Sequence, residues 1–234
     1  MSNLPKSSFY EWVQKLEAVN KEELELTNVI KNIFKESNET YGYRRITIAL
    51  KQKGFNVNHK KAYRIMRENN LKCIKFTRKS RGYSSFKGEV GRIAENKLNR
   101  KFQVTAPNKV WVTDVTEFKI QGSNQKLYLS PIMDLFNSEV ISFKLSTAPT
   151  VKFTTDALDD ALKRLPKKHQ LTIHSDQGFH YQHAQWVKRL INRNIEQSMS
   201  RRGNCIDNSP MENFFGLLKQ EMYYGEKFTS IKQL

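Results

Sequence analysis

The chain has 234 residues, enough for one large or two small domains, and its 40 lysines and arginines outnumber its 23 acidic residues to give a net charge of +17. Hydrophobic residues make up 38%, too many for a disordered chain and, at a mean hydropathy of −0.67, too few for a membrane protein. The two cysteines exclude a disulfide framework and indicate a reducing compartment. The positive surplus predicts a polyanionic partner, either nucleic acid or an anionic membrane surface.

The positive charge is concentrated between Gly42 and Arg81, where 13 basic residues accompany one acid, Glu68. An exposed protein surface ordinarily mixes charges of both signs, because a patch of one sign repels itself. We therefore favour a surface that contacts nucleic-acid phosphates. The alternative is an ordinary solvated helix face.

Helical patterns dominate the N-terminal part of the chain. Apolar residues recur at helical spacing over residues 7–36 and again over two shorter segments, Tyr43–Lys53 and His59–Asn70. Gly54 would end the first short helix, and Asn58 would cap the second. Two short helices around a tight turn, the second of them basic, predict a helix-turn-helix.

These patterns divide the chain into three regions. A helical N-terminal region covers residues 1–74 and includes the helix-turn-helix at about 41–71. Residues 75–105 are rich in glycine, serine and basic side chains and lack clear periodicity, so they are predicted to form a linker. Residues 106–234 show strand and helix patterns in the order βββαβαβα. That order predicts an α/β domain, a mixed five-stranded sheet flanked by helices.

The predicted strands of this domain are rich in β-branched and aromatic residues, and the predicted helices carry apolar residues at helical spacing. The strands are expected at 109–120, 126–136, 139–146, 171–174 and 195–199, and the helices at 151–165, 181–194 and 209–224. Five aromatic residues are expected in the core: Trp111, Phe118, Trp186, Phe214 and Phe215.

Three acidic residues stand where a purely structural role is hard to find. Asp114 interrupts an otherwise apolar strand and would be half-buried, which is unfavourable unless a cation or hydrogen-bond donors face it. Asp176 follows a predicted strand end, and Glu212 lies one turn into the last helix. Each has an ordinary alternative: backbone amides for Asp114, a turn for Asp176 and a helix N-terminus for Glu212. Together they predict oxygen ligands for Mg²⁺ or Mn²⁺ in two-metal phosphodiester chemistry.

Four segments of the sequence contain motifs that are specific enough to compare with a known family. YGYRRITIALKQKGFNVNHKKAYRIMRENNL contains the helix-turn-helix pattern, and NKVWVTDVTEFK, HSDQGFHY and QSMSRRGNCIDNSPMENFFGLLKQE contain the three acids, with 35 residues between the second acid and the third. These motifs and this spacing resemble the integrase-core (DDE) transposases of bacterial insertion sequences, most closely the second reading-frame (OrfB) product of the IS three family. The resemblance covers nearly the whole chain. It implies an RNase H-like fold for residues 106–234 and a C-terminus truncated relative to the family.

The resemblance also implies an activity. The chain would be a DNA transposase, a polynucleotidyl transferase whose triad of Asp114, Asp176 and Glu212 holds two Mg²⁺ (or Mn²⁺) ions and performs cleavage and strand transfer of insertion-sequence ends. Its implied partner is double-stranded DNA, both element ends and target, bound by a homo-oligomer. A first reading-frame product or fusion is a further implied partner. The expected location is the bacterial cytoplasm, in association with the nucleoid and without a membrane.

Basic side chains supply the predicted DNA contacts. Most lie in the basic block, two lie in the loop before the last helix, and one lies two helical turns beyond the third acid, where the resemblance implies contact near the reacting phosphate. The predicted contacts are Arg44, Arg45, Lys60, Lys61, Arg64, Arg67, Arg78, Lys79, Arg81, Arg201, Arg202 and Lys219.

Two other functions stay open at this point. The chain could be a non-catalytic, truncated DNA-binding regulator of transposition, or a related RNase H-like nuclease that cleaves without joining. Other polar residues receive lesser roles. His174 is predicted to neighbour Asp176, and His180 and His183 to start a helix rather than to bind zinc. Asp134 is predicted to be structural and is the reserve candidate for a metal contact, ahead of Glu117 and Asp207.

Overall fold

The computed structural model describes residues 6–73, 93–201 and 205–234 and divides the chain into two compact units, Met1–Lys79 and Ser80–Leu234. Each unit has its own hydrophobic core and is described by itself. Within the described ranges, no helix combines the length and apolar character that crossing a membrane requires.

Three helices form the first unit: α1 (Lys6–Glu36), α2 (Tyr43–Gln52) and α3 (His59–Glu68). Gly54 follows α2 with a φ of +89°, a conformation that favours glycine, and the side chain of Asn58 accepts a hydrogen bond from a backbone N–H of α3 at 2.8 Å. The predicted stop and cap are therefore confirmed. The three helices enclose a core of Leu26, Ile30, Ile33, Phe34, Ile46, Leu50, Ala62, Ile65 and Met66.

One mixed sheet organises the second unit. Its strands are β1 (Val110–Thr113), β2 (Thr116–Lys119), β3 (Lys126–Asp134), β4 (Glu139–Ser146), β5 (Thr172–Ser175) and β6 (Glu196–Met199). Its helices are α4 (Val151–Arg164), α5 (Phe179–Gln182), α6 (Ala184–Asn192) and α7 (Ser209–Met222), and a 3₁₀ turn, Cys205–Asn208, precedes α7.

Pairing within the sheet is antiparallel at one end and parallel at the other. β3 pairs antiparallel with β4 along one edge and with both β1 and β2 along the other. β1 then pairs parallel with β5, and β5 with β6. An antiparallel meander continued by two parallel strands with connecting helices is the RNase H-like arrangement, so the predicted fold class is confirmed.

The sheet has six strands instead of the predicted five, because the segment expected as one strand is interrupted at Asp114 and Val115. β1 and β2 both pair with β3 in the same register. Continued through the interruption, this register sets Pro131 opposite Asp114. Proline has no backbone N–H to donate, and the Pro131 carbonyl accepts the Thr113 hydroxyl at 2.8 Å. The backbone ladder therefore breaks where the first predicted acid stands.

Hydrophobic side chains cover both faces of the sheet. On one face Trp111 packs with side chains of α4, α5 and α6, including Leu158 and Trp186. On the other face Val112 packs with Met211 of α7 and its neighbours. Since adjacent strand residues point to opposite faces, β1 contributes to both cores. Of the five aromatic residues expected in the core, Trp111, Phe118, Trp186 and Phe215 are buried and Phe214 is partly buried.

Two segments differ from the sequence-based expectation. The helix expected over 181–194 is two helices, α5 and α6, separated at His183, whose ring accepts a hydrogen bond from a backbone amide of α6. Residues 93–105, expected in the linker, pack on the second unit, where Leu98 is buried and the Lys97 amide donates to Ser198 Oγ at 2.9 Å. The rest of the linker, residues 75–92, lies outside the described residues.

Adjacent positions on α6 provide a test of this packing. Leu190 is 1% exposed and Ile191 is 64% exposed. We expect Leu190→Ala to lower the free energy of unfolding of the second unit by about 2–5 kcal/mol, because it removes buried apolar surface and leaves a cavity. Ile191→Ala should change it by no more than about 0.5 kcal/mol. Urea unfolding measures both, and equal effects would contradict the described orientation of α6.

Candidate active site at the carboxyl ends of β1 and β5

Two of the three predicted acids lie side by side at the carboxyl ends of neighbouring strands. β1 and β5 are parallel neighbours, with Val112 opposite His174. Asp114 and Asp176 each lie two residues further along, just beyond the ends of these strands. Since neighbouring strands are about 4.8 Å apart, the register brings the two aspartates together. The half-buried position predicted for Asp114 is confirmed.

Backbone amides orient both aspartate carboxylates. Oδ1 of Asp114 accepts a hydrogen bond from the Val115 amide at 2.7 Å, and Oδ1 of Asp176 accepts one from the Gly178 amide at 2.9 Å. A Cβ atom at Gly178 would lie 2.9 Å from Oδ1 of Asp176, closer than side chains tolerate. Glycine is therefore needed there, because the chain turns tightly around the carboxylate.

The third acid reaches the same region from α7. Met211 is fully buried in the core that contains Val112, so the first turn of α7 packs against β1. Just before this helix, Nδ2 of Asn208 donates to the carbonyl of Thr113 at 3.4 Å, next to Asp114 in the chain. Glu212 follows Met211 and is exposed to solvent.

The pKa values indicate that the three acids share one electrostatic environment. Burial raises the pKa of Asp114 well above its usual range, and the charges of Asp176 and Glu212 raise it further, while the Val115 amide and Lys219 oppose the shift. Burial also raises the pKa of Asp176, against the Gly178 amide and His180. Burial raises the pKa of Glu212 as well.

The three acids lie near one another, but they are not arranged to bind a metal ion together. In the part of the chain that the structure describes, no three histidine, cysteine or acidic side chains are arranged to hold one metal ion. What the geometry provides is a crowded negative site at a sheet edge. Such a site favours cations or protons, since either relieves the repulsion between like charges.

Buried polar residues support the two aspartates from behind. His174 is fully buried, and its two ring nitrogens hydrogen-bond to Ser198 Oγ at 2.8 Å and Ser200 Oγ at 3.0 Å, which link β5 to β6. His174 lies two residues before Asp176 in the chain, and its role as a neighbour of that carboxylate stays a prediction. His180 is in α5, with Nε2 bound to a backbone carbonyl, and His183 caps α6, so both are at helix starts as predicted.

The reserve metal candidates have other partners. Asp134 is 2% exposed and accepts backbone amides of Asn108 and Phe136 at 2.7 and 2.9 Å, and it pairs with the start of β1, away from Asp114. Glu117 pairs with Lys126 at 3.0 Å. Asp207 is buried among arginine and asparagine donors. Each therefore has a structural role.

Basic residues near α7 divide into two groups. The ammonium of Lys219 lies 5.3 Å from the centre of the Phe118 ring and interacts electrostatically with Asp114, so it belongs to the candidate site. The guanidinium of Arg201 instead forms a fork on Asp207, with contacts of 2.9 and 3.0 Å. Arg202 lies outside the described residues.

In the first unit, the exposed surface of α3 carries the expected positive charge. Lys60 and Arg67 are exposed on the side opposite Ala62 and Ile65, and Tyr63 between them is 50% exposed. Arg44 and Arg45 near the start of α2 are also exposed, with Arg45 over the ring of Tyr41 at 4.4 Å. The predicted contacts Arg78, Lys79 and Arg81 lie outside the described residues.

One acid that the sequence did not single out changes the role of two predicted contacts. Glu23 on α1 binds Nη2 of Arg64 at 2.8 Å and lies 3.7 Å from the ammonium of Lys61. Arg64 also pairs with Glu68 at 3.1 Å. These side chains join α1 to α3. Glu23 and Arg64 are 41 positions apart, and no local signal in the sequence pairs them.

Comparison with known families agrees with both units. Residues 21–80 match the family described as HTH-like domain, and residues 104–205 and 212–234 match two families described as Integrase core domain. Among solved structures, the catalytic core domain of HTLV-2 integrase in complex with magnesium is similar at 24% identity and a TM-score of 0.39, over 48% of this chain and 68% of that chain.

Relatives that match nearly the whole chain define the class of protein more closely. The chain is 43% identical to the putative transposase InsK for insertion sequence element IS150 of Escherichia coli, over 100% of this chain and 80% of that protein. It is 30% identical to transposase InsF for insertion sequence IS3A of the same organism, over 96% of this chain and 78% of that protein. The fold and site define an integrase-core protein with a helix-turn-helix. The chain belongs to the insertion-sequence transposases of the IS three family, as the sequence motifs predicted.

The buried His174 makes the stability of the second unit depend on pH. Burial lowers the pKa of His174 to about 4, although Asp207 opposes the shift. In the unfolded chain the imidazole gains a proton as the pH falls through about 6.5, whereas in the folded chain it stays neutral until about pH 4. Its contribution, complete above pH 6.5, is therefore lost as the pH falls toward 4. We expect a loss of about 2 kcal/mol between pH 7 and pH 5.

Urea unfolding at the two pH values tests this expectation. His174→Gln should lower stability at pH 7 but remove this part of the pH dependence. His183→Asn, an exposed position where asparagine can still cap α6, should keep the wild-type dependence. An unchanged pH dependence in His174→Gln would show that other groups cause it.

Proposed function

We propose that this chain is a DNA transposase that cleaves insertion-sequence ends and joins them to target DNA through a triad of Asp114, Asp176 and Glu212. The observation that carries the proposal is the parallel pairing of β1 and β5, which sets Asp114 beside Asp176 while α7 brings Glu212 into electrostatic range. Two half-buried aspartates with an exposed glutamate nearby, on a basic protein, are suited to phosphodiester chemistry.

The three carboxylates fit Mg²⁺ or Mn²⁺, two ions per site, in the chemistry of their donors. They offer oxygen ligands only. Burial raises the pKa of each, and for Asp114 the charges of Asp176 and Glu212 add to the shift. Binding would require the three carboxylates to draw closer together, because the described residues form no three-ligand cluster. When bound, the ions would activate the attacking oxygen and stabilise charge on the phosphate.

The other residues of the site would bind and orient. The Gly178 amide holds Oδ1 of Asp176, and the Val115 amide holds Oδ1 of Asp114, so that the remaining carboxylate oxygens are open to ligands. Lys219, within electrostatic range of Asp114, would hold a DNA phosphate near the acids. Water, and then the 3′-hydroxyl released by cleavage, would be the nucleophile, so no covalent protein–DNA intermediate forms.

The helix-turn-helix would supply a second DNA contact. Lys60 and Arg67 project from the exposed side of α3, the position of a recognition helix in this motif. Arg64 is held by Glu23 and Glu68, so its main role would be to fix α3 against α1. The partner would be double-stranded DNA at element ends and target, bound by a homo-oligomer in the bacterial cytoplasm. The match to a putative transposase covers 100% of this chain and 80% of that protein, which favours an enzyme over a non-catalytic regulator.

Asp176→Asn tests the catalytic proposal. It removes one predicted ligand with almost no change in volume. We expect Mg²⁺-dependent cleavage and joining of element-end DNA to fall by more than the roughly 10–100-fold that loss of an outer-shell partner causes. The melting temperature should stay equal or rise, because the change removes a buried charge that repels Asp114.

The matched control is Asp156→Asn, which removes a partly exposed acid on α4 that pairs with Lys152 in the same unit, and it should leave activity unchanged. Undiminished activity in Asp176→Asn would refute the triad. Metal-dependent cleavage without joining would instead support the related nuclease.

Salt dependence of DNA binding tests the proposed recognition helix. Each phosphate contact contributes roughly 0.9 to the slope of log affinity against log salt concentration. Lys60→Ala combined with Arg67→Ala should therefore reduce that slope by about 2. Lys31→Ala, which removes an exposed lysine from α1, should leave it unchanged. A wild-type slope in the double variant would remove α3 from the DNA interface.

A further inference from the structure

Asp207 is a completely buried acid outside the proposed triad, in the 3₁₀ turn that leads into α7. From the residues that the structure describes, its two carboxylate oxygens accept five hydrogen bonds. Oδ1 binds Arg100 Nε at 2.9 Å and Arg201 Nη2 at 3.0 Å. Oδ2 binds Arg201 Nε at 2.9 Å, the Arg201 amide at 3.1 Å and Asn96 Nδ2 at 2.9 Å.

These contacts tie three separate segments together at one point. Asn96 and Arg100 lie in the stretch before β1, Arg201 follows β6, and Asp207 precedes α7. Two guanidinium groups on a buried carboxylate hold the pKa of Asp207 well below its usual range, with hydrogen bonding from Arg201 as the main cause. The carboxylate therefore stays charged, and both arginines stay bound to it.

The same cluster adjoins the segments that carry the proposed triad. Asn208, the next residue, donates to the carbonyl of Thr113, directly before Asp114. Ser200, next to Arg201, binds the ring of His174 and, through its amide, the carbonyl of Ser175, directly before Asp176. Glu212 lies five residues beyond Asp207, in the first turn of α7. A helix is rigid over that distance, so its starting point fixes where Glu212 lies.

We propose that Asp207 is a positioning residue: its five hydrogen bonds set the start of α7 and so place Glu212 relative to Asp114 and Asp176. This inference rests on the proposed function, since it gives Asp207 a task in assembling the triad. It also gives Arg201 a different role from the predicted DNA contact, because the Arg201 guanidinium is forked on Asp207.

The variant to compare is Asp207→Asn. Asparagine keeps the size of the side chain but loses the charge and one acceptor, so it cannot hold both guanidinium groups. The matched control is Asp134→Asn, which alters another buried acid of the same unit. Among the described residues, that carboxylate accepts hydrogen bonds only from backbone amides. Both variants should be less stable than the wild type, so stability alone does not distinguish positioning from packing.

Mn²⁺ binding distinguishes a positioning role of Asp207 from a packing role. We expect Asp207→Asn, measured well below its melting temperature, to weaken Mn²⁺ binding in titrations of the full chain by about 10–100-fold, as loss of an outer-shell partner does. The catalytic rate at saturating DNA should fall similarly, with the half-saturating DNA concentration unchanged. Asp134→Asn should change neither Mn²⁺ affinity nor that rate. Arg100→Gln, which removes only one of the five hydrogen bonds, should show a smaller effect and serves if Asp207→Asn does not fold.

The outcomes separate this inference from the proposed function. Equal losses in Asp207→Asn and Asp134→Asn, or a loss confined to DNA affinity, would overturn the positioning role. If the wild type binds Mn²⁺ in a manner lost in Asp176→Asn but cleaves no DNA, the proposed function fails. The effect of Asp207→Asn on Mn²⁺ affinity then still decides whether Asp207 positions the acids.

Discussion

The second unit depends on one constraint: two aspartates must lie side by side at the carboxyl ends of two parallel strands. Parallel pairing of β1 and β5 brings Asp114 and Asp176 side by side just beyond the ends of the two strands. Burial and mutual repulsion raise the pKa of Asp114, so this arrangement opposes folding. It persists because two hydrophobic cores, one on each face of β1, hold the strand in place. Catalytic sites commonly keep such local conflict, and the rest of the fold offsets it.

The break between β1 and β2 shows how one residue on a neighbouring strand shapes the site. Opposite Asp114, β3 presents Pro131, which has no amide to donate. The backbone at Asp114 is thereby released from the ladder, and its carboxylate binds the next amide. An uninterrupted strand would keep the side chain of Asp114 in the alternation of the sheet. The interruption lets the carboxylate lie at the sheet edge beside Asp176.

Local patterns in the sequence predicted most helices and strands and their order, with the cap at Asn58 and the stop at Gly54, but not the division of the first strand or of the helix expected over 181–194. Features set by partners far along the chain were not predictable in this way. The strand break depends on the register with Pro131, and the Glu23–Arg64 pair joins residues 41 positions apart. Asp207 accepts hydrogen bonds from Asn96 and Arg100, 111 and 107 positions away. The three acids were singled out because their motifs and spacing are specific, whereas Asp207 was only a lesser metal candidate.

The self-contained core of the three N-terminal helices has a practical consequence. Leu26, Ile46, Ile65 and their neighbours bury one another among the described residues of these helices. The exposed residues Lys60 and Arg67 of α3 lie outside that core, whereas Arg64 pairs with Glu23 of α1. Under the proposed function, exchange of Lys60 and Arg67 would be a route to recombinases with altered sequence preference, with the core of the helices left unchanged.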